Sequence, residues 1–270
     1  MPEGPEIRRA ADRLADAVVG KPLTLAWFAF PALKRYEKPL VGRRIEAITP
    51  RGKALLTRFD SGLTLYSHNQ LYGVWRVAAP GEREDGARSL RVALETADAA
   101  ILLYSASDVS MWRTDQVESH PFLQKLGPDV LDPALDAKAV AKRLRDPAFA
   151  RRALGALLLD QGFLAGMGNY LRSEVLFAAR LPPGRAPCEL EAAQLRTLAR
   201  ELLAIPRRSY ATRGIAPAAG MRADYLTDTP AGFAFAVFDR EGLPCPACGG
   251  RIVRRESGAR RLYLCPRCQR

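Results

Sequence analysis

Hydrophobic positions along the chain fall into three regimes. From Ile7 to Val19, the residues Ile7, Ala11, Leu14 and Val18 recur at helical spacing among charges, and Gly20 followed by Pro22 ends the pattern, which predicts an amphipathic helix. Segments 23–30, 44–48, 53–59, 63–67, 73–77, 90–96 and 100–105 come next, short and β-rich, several alternating apolar with polar. Asp60-Ser61-Gly62 supplies a tight turn between two of them. Regular short strands with turn signals predict an antiparallel sandwich. After Gly127-Pro128-Asp129 the pattern changes: 133–144, 151–159, 169–179 and 190–203 all carry helical periodicity. Residues 214–231 are rich in Gly, Ala, Pro and Thr with few apolar anchors, which predicts a flexible connection. The expected fold class is α+β in several domains: a β-sandwich with an N-terminal helix (1–126), a helical domain (127–213), that connection, and a small C-terminal unit (232–270).

Composition narrows the function classes. At 270 residues and 48% hydrophobic the chain can bury a sizeable core. Its formal charge of +12 and pI near 9.9 point to a polyanionic partner. Nucleic acid fits better than membrane, because no run approaches the roughly 18 apolar residues of a spanning helix. The acidic start, Met-Pro-Glu-Gly-Pro-Glu, is unlike a secretory signal, so a cytoplasmic protein is expected, and it is expected to act as a monomer.

Four of the five cysteines crowd into the C-terminus as Cys245-x2-Cys248 and Cys265-x2-Cys268, with 16 residues between the pairs. That spacing predicts a zinc ribbon with one tetrahedral, structural Zn2+ held by four thiolates and no open coordination position. Segments 251–255 and 261–264 can pair as the intervening hairpin. Residues 241–270 hold seven arginines against two glutamates, so this unit is also expected to touch phosphates. Cys188 stands apart and reads as a small, partly buried residue. The glycine-bearing stretch Gly162 to Tyr170 reads either as a seat for phosphate on helix N-terminal amides or as plain helix packing.

Several of these residues, in this order, are shared with a known family: Met1-Pro2-Glu3-Gly4-Pro5-Glu6, Arg51-Gly52-Lys53 before a strand, Gly168-Asn169, and the Arg-rich four-cysteine finger. The whole chain resembles the formamidopyrimidine-DNA glycosylase and endonuclease VIII family, most closely its bacterial endonuclease VIII branch. The resemblance implies that the helical unit is a helix-two-turn-helix domain. It implies that Pro2, freed by loss of Met1, attacks C1′ of a damaged deoxynucleotide as a secondary amine. Glu3 would be the acid/base and Glu6 a supporting carboxylate. Lys53 and Arg260 would act on phosphates flanking the lesion, with Arg261 as the one-residue alternative to Arg260, and Asn169 would hold the DNA backbone. Gln70-Leu71-Tyr72 resembles the wedge that fills the gap left by an everted base. Lys125 stands where the family leads one to expect arginine, keeping the charge without the bidentate geometry. The stretch 214–232 does not match cleanly, and in this family it borders the base pocket.

Gly4 and the Gln-Leu-Tyr wedge favour oxidised pyrimidines as substrate, in duplex DNA that also carries abasic sites. The same fold with 8-oxopurine preference is the alternative. A non-enzymatic zinc-ribbon DNA-binding protein would explain charge and cysteines equally well but would leave Pro2, Glu3 and Lys53 without purpose.

Overall fold

The computed structural model describes residues 2–83, 86, 88–212, 233–257 and 260–270; the connection expected at 214–231 lies outside them. The chain separates into two compact units, residues 1–2 with 6–124 and residues 3–5 with 125–270. Among the described residues no helix is long and apolar enough to cross a membrane.

In the first unit, helix α1 (Gly4–Val18) presents Ala11, Leu14 and Val18 to the core. One antiparallel sheet has the order β2-β3-β4-β8, from Ile45–Arg51, Ala54–Phe59, Leu63–His68 and Asp108–Arg113. The other has the order β1-β6-β7-β5, from Leu25–Phe28, Leu90–Glu95, Ala100–Tyr104 and Val74–Ala78. Side chains of both sheets, among them Ile48, Leu55, Phe59, Leu65, Phe28, Val92, Ile101 and Leu103, fill one buried core, as expected of a sandwich. The β3–β4 connection is the predicted hairpin, with Gly62 at φ +75° where a side chain would be strained. Two features lack a counterpart in the sequence pattern. Residues 31–40 form a 3-10 turn followed by the short α2 (Glu37–Leu40), and β8 completes its sheet as an edge strand with no fully buried residue. Its alternation, Val109 and Met111 on the core with Ser110 between them, is brief and buries none of them fully, too little to mark a strand.

On β4, Tyr66 points opposite to core-facing Leu65. It is fully buried and stacked on His120, with ring centroids 3.8 Å apart. Its hydroxyl donates to Asp108 Oδ2 at 3.4 Å, and burial, reinforced by Asp108, pushes its pKa upward.

The second unit is helical. Helix α3 (Ala137–Leu144) starts later than expected because the Asp136 carboxylate accepts the Ala139 amide at 2.7 Å and sets the N-terminus. In place of one helix over 151–159 there is a single turn, α5 (Leu154–Leu157), preceded by another, α4 (Pro147–Ala150); the Leu154 and Gly155 amides donate instead to the carbonyls of Arg185 and Pro183. Helix α6 spans Asn169–Ala178. Helix α7 (Ala192–Ala211) runs through Pro206, past the expected end. Burial of Ile205, Pro206 and Ser209 on its packed face offsets the roughly 3 kcal/mol that an internal proline costs. Cys188 is exposed rather than partly buried, in a 3-10 turn at Pro187–Glu189.

The finger hairpin pairs β9 (Val253–Ser257) with β10 (Arg260–Leu264). Leu262 and Leu264 join the helical core, while Val237, Ile252 and Tyr263 pack with Cys245 and Cys265 in a small core of the finger's own.

Both histidines of the chain are held below the ordinary imidazole pKa by burial, which Asp108 opposes and, at His68, Lys53 reinforces. The unfolded chain therefore takes up these protons first, and the neutral rings contribute stability that is full above about pH 6.5 and is lost as pH falls below it. Thermal unfolding followed from about pH 7.5 to 5.5 should show a falling Tm, with a smaller fall in His120→Phe, which keeps a ring on Tyr66. An identical pH slope in the two proteins would contradict this assignment.

Candidate active site

The third residue of the chain is anchored more than one hundred and sixty positions away in sequence. Glu3 is 4% exposed, and its Oε1 and Oε2 accept the amides of Tyr170 at 2.8 Å and Leu171 at 3.2 Å, in the first turn of α6. Orphan amides and the positive end of the helix dipole make such a terminus an anion site. Two of the amides that the sequence pattern offered to a phosphate are thus taken by a carboxylate of the protein itself. Gly168, the residue before α6, is extended at φ −144°, so its requirement is space: a Cβ there would overlap the Glu3 side chain. The Gly4 amide donates to the Gly166 carbonyl at 2.8 Å, fixing the approach of the N-terminal segment. Pro2, half-buried, is joined directly to Glu3.

One helical turn further, Arg172 is fully buried. Its Nη2 donates to Asn169 Oδ1 at 2.6 Å and to the Arg261 carbonyl on β10 at 3.1 Å, while its Nη1 donates to the Gly155 carbonyl at 2.8 Å. Burial, opposed by Glu3 and reinforced by Arg260, lowers its pKa to about 10, so it stays charged at neutral pH. Glu3, Asn169 and the finger strand carrying Arg260 and Arg261 are thereby gathered around one guanidinium that sequence reasoning passed over; an arginine in an otherwise buried helix was the available signal. Arg260 and Arg261 are exposed on the strand. Lys125 is exposed at the start of this unit and makes no ion pair among the described residues.

In the sandwich unit, Glu6 forms a 2.8 Å ion pair with Arg9, each side chain only 9% exposed. Lys53 occupies the turn between β2 and β3 and is 8% exposed, unlike an ordinary surface lysine. Beside it the register places Ala54 opposite His68 and His68 opposite Asp108, a row crossing three strands. Lys53 and His68 act electrostatically on each other, which makes His68 a further residue that sequence reasoning missed. The wedge candidates form a stapled loop. The Gln70 amide donates to His68 Nδ1 at 3.0 Å, Ser107 Oγ donates to Gln70 Oε1 at 2.7 Å, and the Arg88 guanidinium donates to the Tyr72 carbonyl at 2.9 Å. Leu71 and Tyr72 are nevertheless 63% and 65% exposed, apolar groups held ready by a loop whose backbone is fixed.

The sulfurs of Cys245, Cys248, Cys265 and Cys268 lie within 4.8 Å of one another, with Cys245–Cys268 at 3.8 Å and Cys248–Cys265 at 3.5 Å. A tetrahedral ion with bonds of about 2.3 Å requires sulfur separations of about 3.8 Å, so this set fits zinc.

Three family models match in sequence order: the formamidopyrimidine-DNA glycosylase N-terminal domain over residues 1–107, the formamidopyrimidine-DNA glycosylase H2TH domain over 126–216, and the zinc finger found in FPG and IleRS over 242–270. The chain belongs to the formamidopyrimidine-DNA glycosylase family. It is 55% identical over 269 residues to the endonuclease 8 of Pectobacterium atrosepticum and to that of Shigella flexneri, covering 100% of each chain. Among solved structures, the Lactococcus lactis Fpg complex with abasic-site DNA superposes with a TM-score of 0.83 at 22% identity over 99% of both chains. A complex of the same protein with N7-benzyl-Fapy-dG DNA gives 0.83 at 23% identity over 100% of both, establishing the shared fold. The finger binds one structural Zn2+.

Two outcomes are expected. Gly168→Ala should displace Glu3 and cost about 1–3 kcal/mol of stability, as overpacking does, with base excision lost more than tenfold; wild-type excision kinetics would contradict the close approach. Chelation should release about one zinc per chain, unfold the small finger, and weaken DNA binding. Active protein free of zinc by elemental analysis would refute that.

Proposed function

We propose that the protein is a bifunctional DNA glycosylase and abasic-site lyase that removes oxidised pyrimidines from duplex DNA and then cuts the strand by β,δ-elimination. The observation that carries the reading is Glu3, seated on the α6 amides and joined directly to Pro2. Once Met1 is removed, the Pro2 nitrogen attacks C1′ as Glu3 protonates the sugar ring oxygen; the glycosidic bond breaks, the base leaves, and an iminium joins protein to sugar. Loss of a C2′ proton then expels the 3′ phosphate, a second elimination expels the 5′ phosphate, and hydrolysis returns the amine.

In this reading residues 1–126 form the catalytic sandwich, 127–213 the backbone-gripping helical domain, 214–231 a connection bordering the base pocket and 232–270 the finger. Lys53, Asn169 and Arg260, with Arg261 and Lys125 beside them, hold phosphates around the everted nucleotide, because extrusion requires the backbone to be fixed on both sides. Glu6 supports the acid/base. Gln70, Leu71 and Tyr72 fill the vacated stack, offsetting a few kcal/mol of unstacking. The enzyme works in the cytoplasm as a monomer. What favours pyrimidines over 8-oxoguanine is the 55% identity with endonuclease 8 proteins.

Borohydride trapping on duplexes carrying thymine glycol, dihydrouracil, 8-oxoguanine or an abasic site tests both levels. A covalent adduct is expected, fastest on the pyrimidine lesions and absent when an uncleaved extension blocks Pro2. Glu3→Gln should stop base removal yet still cut abasic DNA. No adduct anywhere refutes the amine mechanism; fastest reaction at 8-oxoguanine refutes the substrate class alone.

A further inference from the structure

The helical unit carries a second concentration of charge on a face that the proposed chemistry does not use. Between α3 and α7 lies a groove of about 930 Å³. Lys138, Lys142 and Arg145 line it from α3, and Arg196 and Arg200 from α7. Spacings of four and three residues put the first three on one stripe of their helix, and the spacing of four does the same for the other two. All five side chains are exposed. The ion pair formed among them joins Arg200 to neighbouring Glu201 at 3.2 Å, and the lining carboxylate, Asp136, is engaged in capping α3. Lys138, Lys142, Arg145 and Arg196 have no counter-ion among the described residues, so the groove gathers five cations against the one lining carboxylate, Asp136.

The groove faces away from the loop that leads to Asn169. Arg143, on the same helix, donates to the carbonyls of Gly162 and Phe163 in that loop. At about 100° per residue, Lys138, Lys142 and Arg145 lie roughly 100–160° around the helix from it. The floor is Ala137 and Ala141, small apolar side chains between the two cationic rows. This combination selects among anions. A duplex is too wide to enter a trough between neighbouring helices whose axes lie about 8–10 Å apart. A single strand would need aromatic platforms for its bases, and no aromatic residue lines the groove. An extended peptide with carboxylates on both edges and small apolar side chains between them satisfies the walls and the floor together.

We propose that the α3–α7 groove is a docking site for an acidic, apolar-anchored peptide segment of a partner protein, separate from the surface that holds damaged DNA. The probe is a fluorescein-labelled peptide of about 14 residues alternating aspartate and leucine. Full-length, zinc-loaded enzyme is first saturated with a duplex containing a tetrahydrofuran abasic analogue, so that the catalytic surface is covered. Anisotropy should report binding to this complex that weakens with salt, and K142E/R196E should reduce affinity by about tenfold or more. Excision from a lesion duplex should stay within about twofold of wild type at matched salt. The milder K142Q/R196Q variant gives an intermediate loss and guards against a folding defect, checked by thermal unfolding. Equal affinity of wild type and both variants overturns the proposal. Equally tight binding of oligo-aspartate lacking leucine overturns the apolar floor, and displacement of the peptide by oligothymidylate at lower concentration reassigns the groove to nucleic acid.

Discussion

The seat of the Glu3 carboxylate on the first turn of α6 is the interaction on which the arrangement of this site depends. It satisfies two helix-terminal amides that would otherwise need water or a ligand, and it does so with the residue next to the proposed nucleophile. The consequences spread along the helix. Gly168 must lack a side chain, and Gly166, at φ +89°, must turn the chain so that its carbonyl meets the Gly4 amide. Farther along, Ser173 Oγ accepts the Tyr263 amide of the finger strand at 3.5 Å, and buried Glu174 accepts the amides of Ala236, Val237 and Phe238. Burial pushes the Glu174 carboxyl upward in pKa while those three amides oppose it. A ten-residue helix thus holds the acid/base at one end and the finger by its middle.

Arg172 is costly by the same logic that makes it useful. A guanidinium taken fully out of water destabilises the fold unless its donors are met, and here carbonyls from 155 and 261 and the Asn169 amide oxygen meet its two Nη groups while Nε stays buried without a hydrogen-bond partner among the described residues. The charge then orients neighbours instead of wandering in solvent: it turns Asn169 and reaches the backbone of β10, on which Arg260 stands. In the sandwich unit the solution is different. Lys53 sits in the turn beside Ala54, which faces His68 across β3 and β4, and His68 in turn faces Asp108 on β8, so opposite charges act on one ring from two sides.

Excess positive charge is accordingly of two kinds. At the candidate site Arg172 and the Glu6-paired Arg9 each have specific neighbours. On the α3–α7 groove four of the five cations stand in rows without counter-ions among the described residues, an arrangement that the charge of +12 hides in sequence and that the pairing of two helices makes specific in space.

Features governed by neighbours in sequence were legible from the amino acids alone. The amphipathic period of α1, the Asp60-Ser61-Gly62 hairpin, the two-sheet pattern of alternating strands and the paired C-x2-C motifs each depend on interactions within a few residues or on fixed ligand spacing. The N-terminal Pro2-Glu3 motif was legible through the family resemblance it carries rather than through any local pattern. Other features were decided only by tertiary structure. The periodicity read over 190–203 ended there, yet burial of the helix face carries α7 through Pro206 to Ala211. Strand β8 carries only the brief alternation of Val109 and Met111 and is completed by pairing along the edge of β4. The stretch up to Tyr170 read either as a phosphate seat or as plain packing, and the amides of Tyr170 and Leu171 prove to be taken by a carboxylate from the start of the chain; Arg172 had drawn no reading. A hydrogen bond spanning 167 positions leaves no mark on local periodicity or spacing; only folding brings its partners within 2.8 Å.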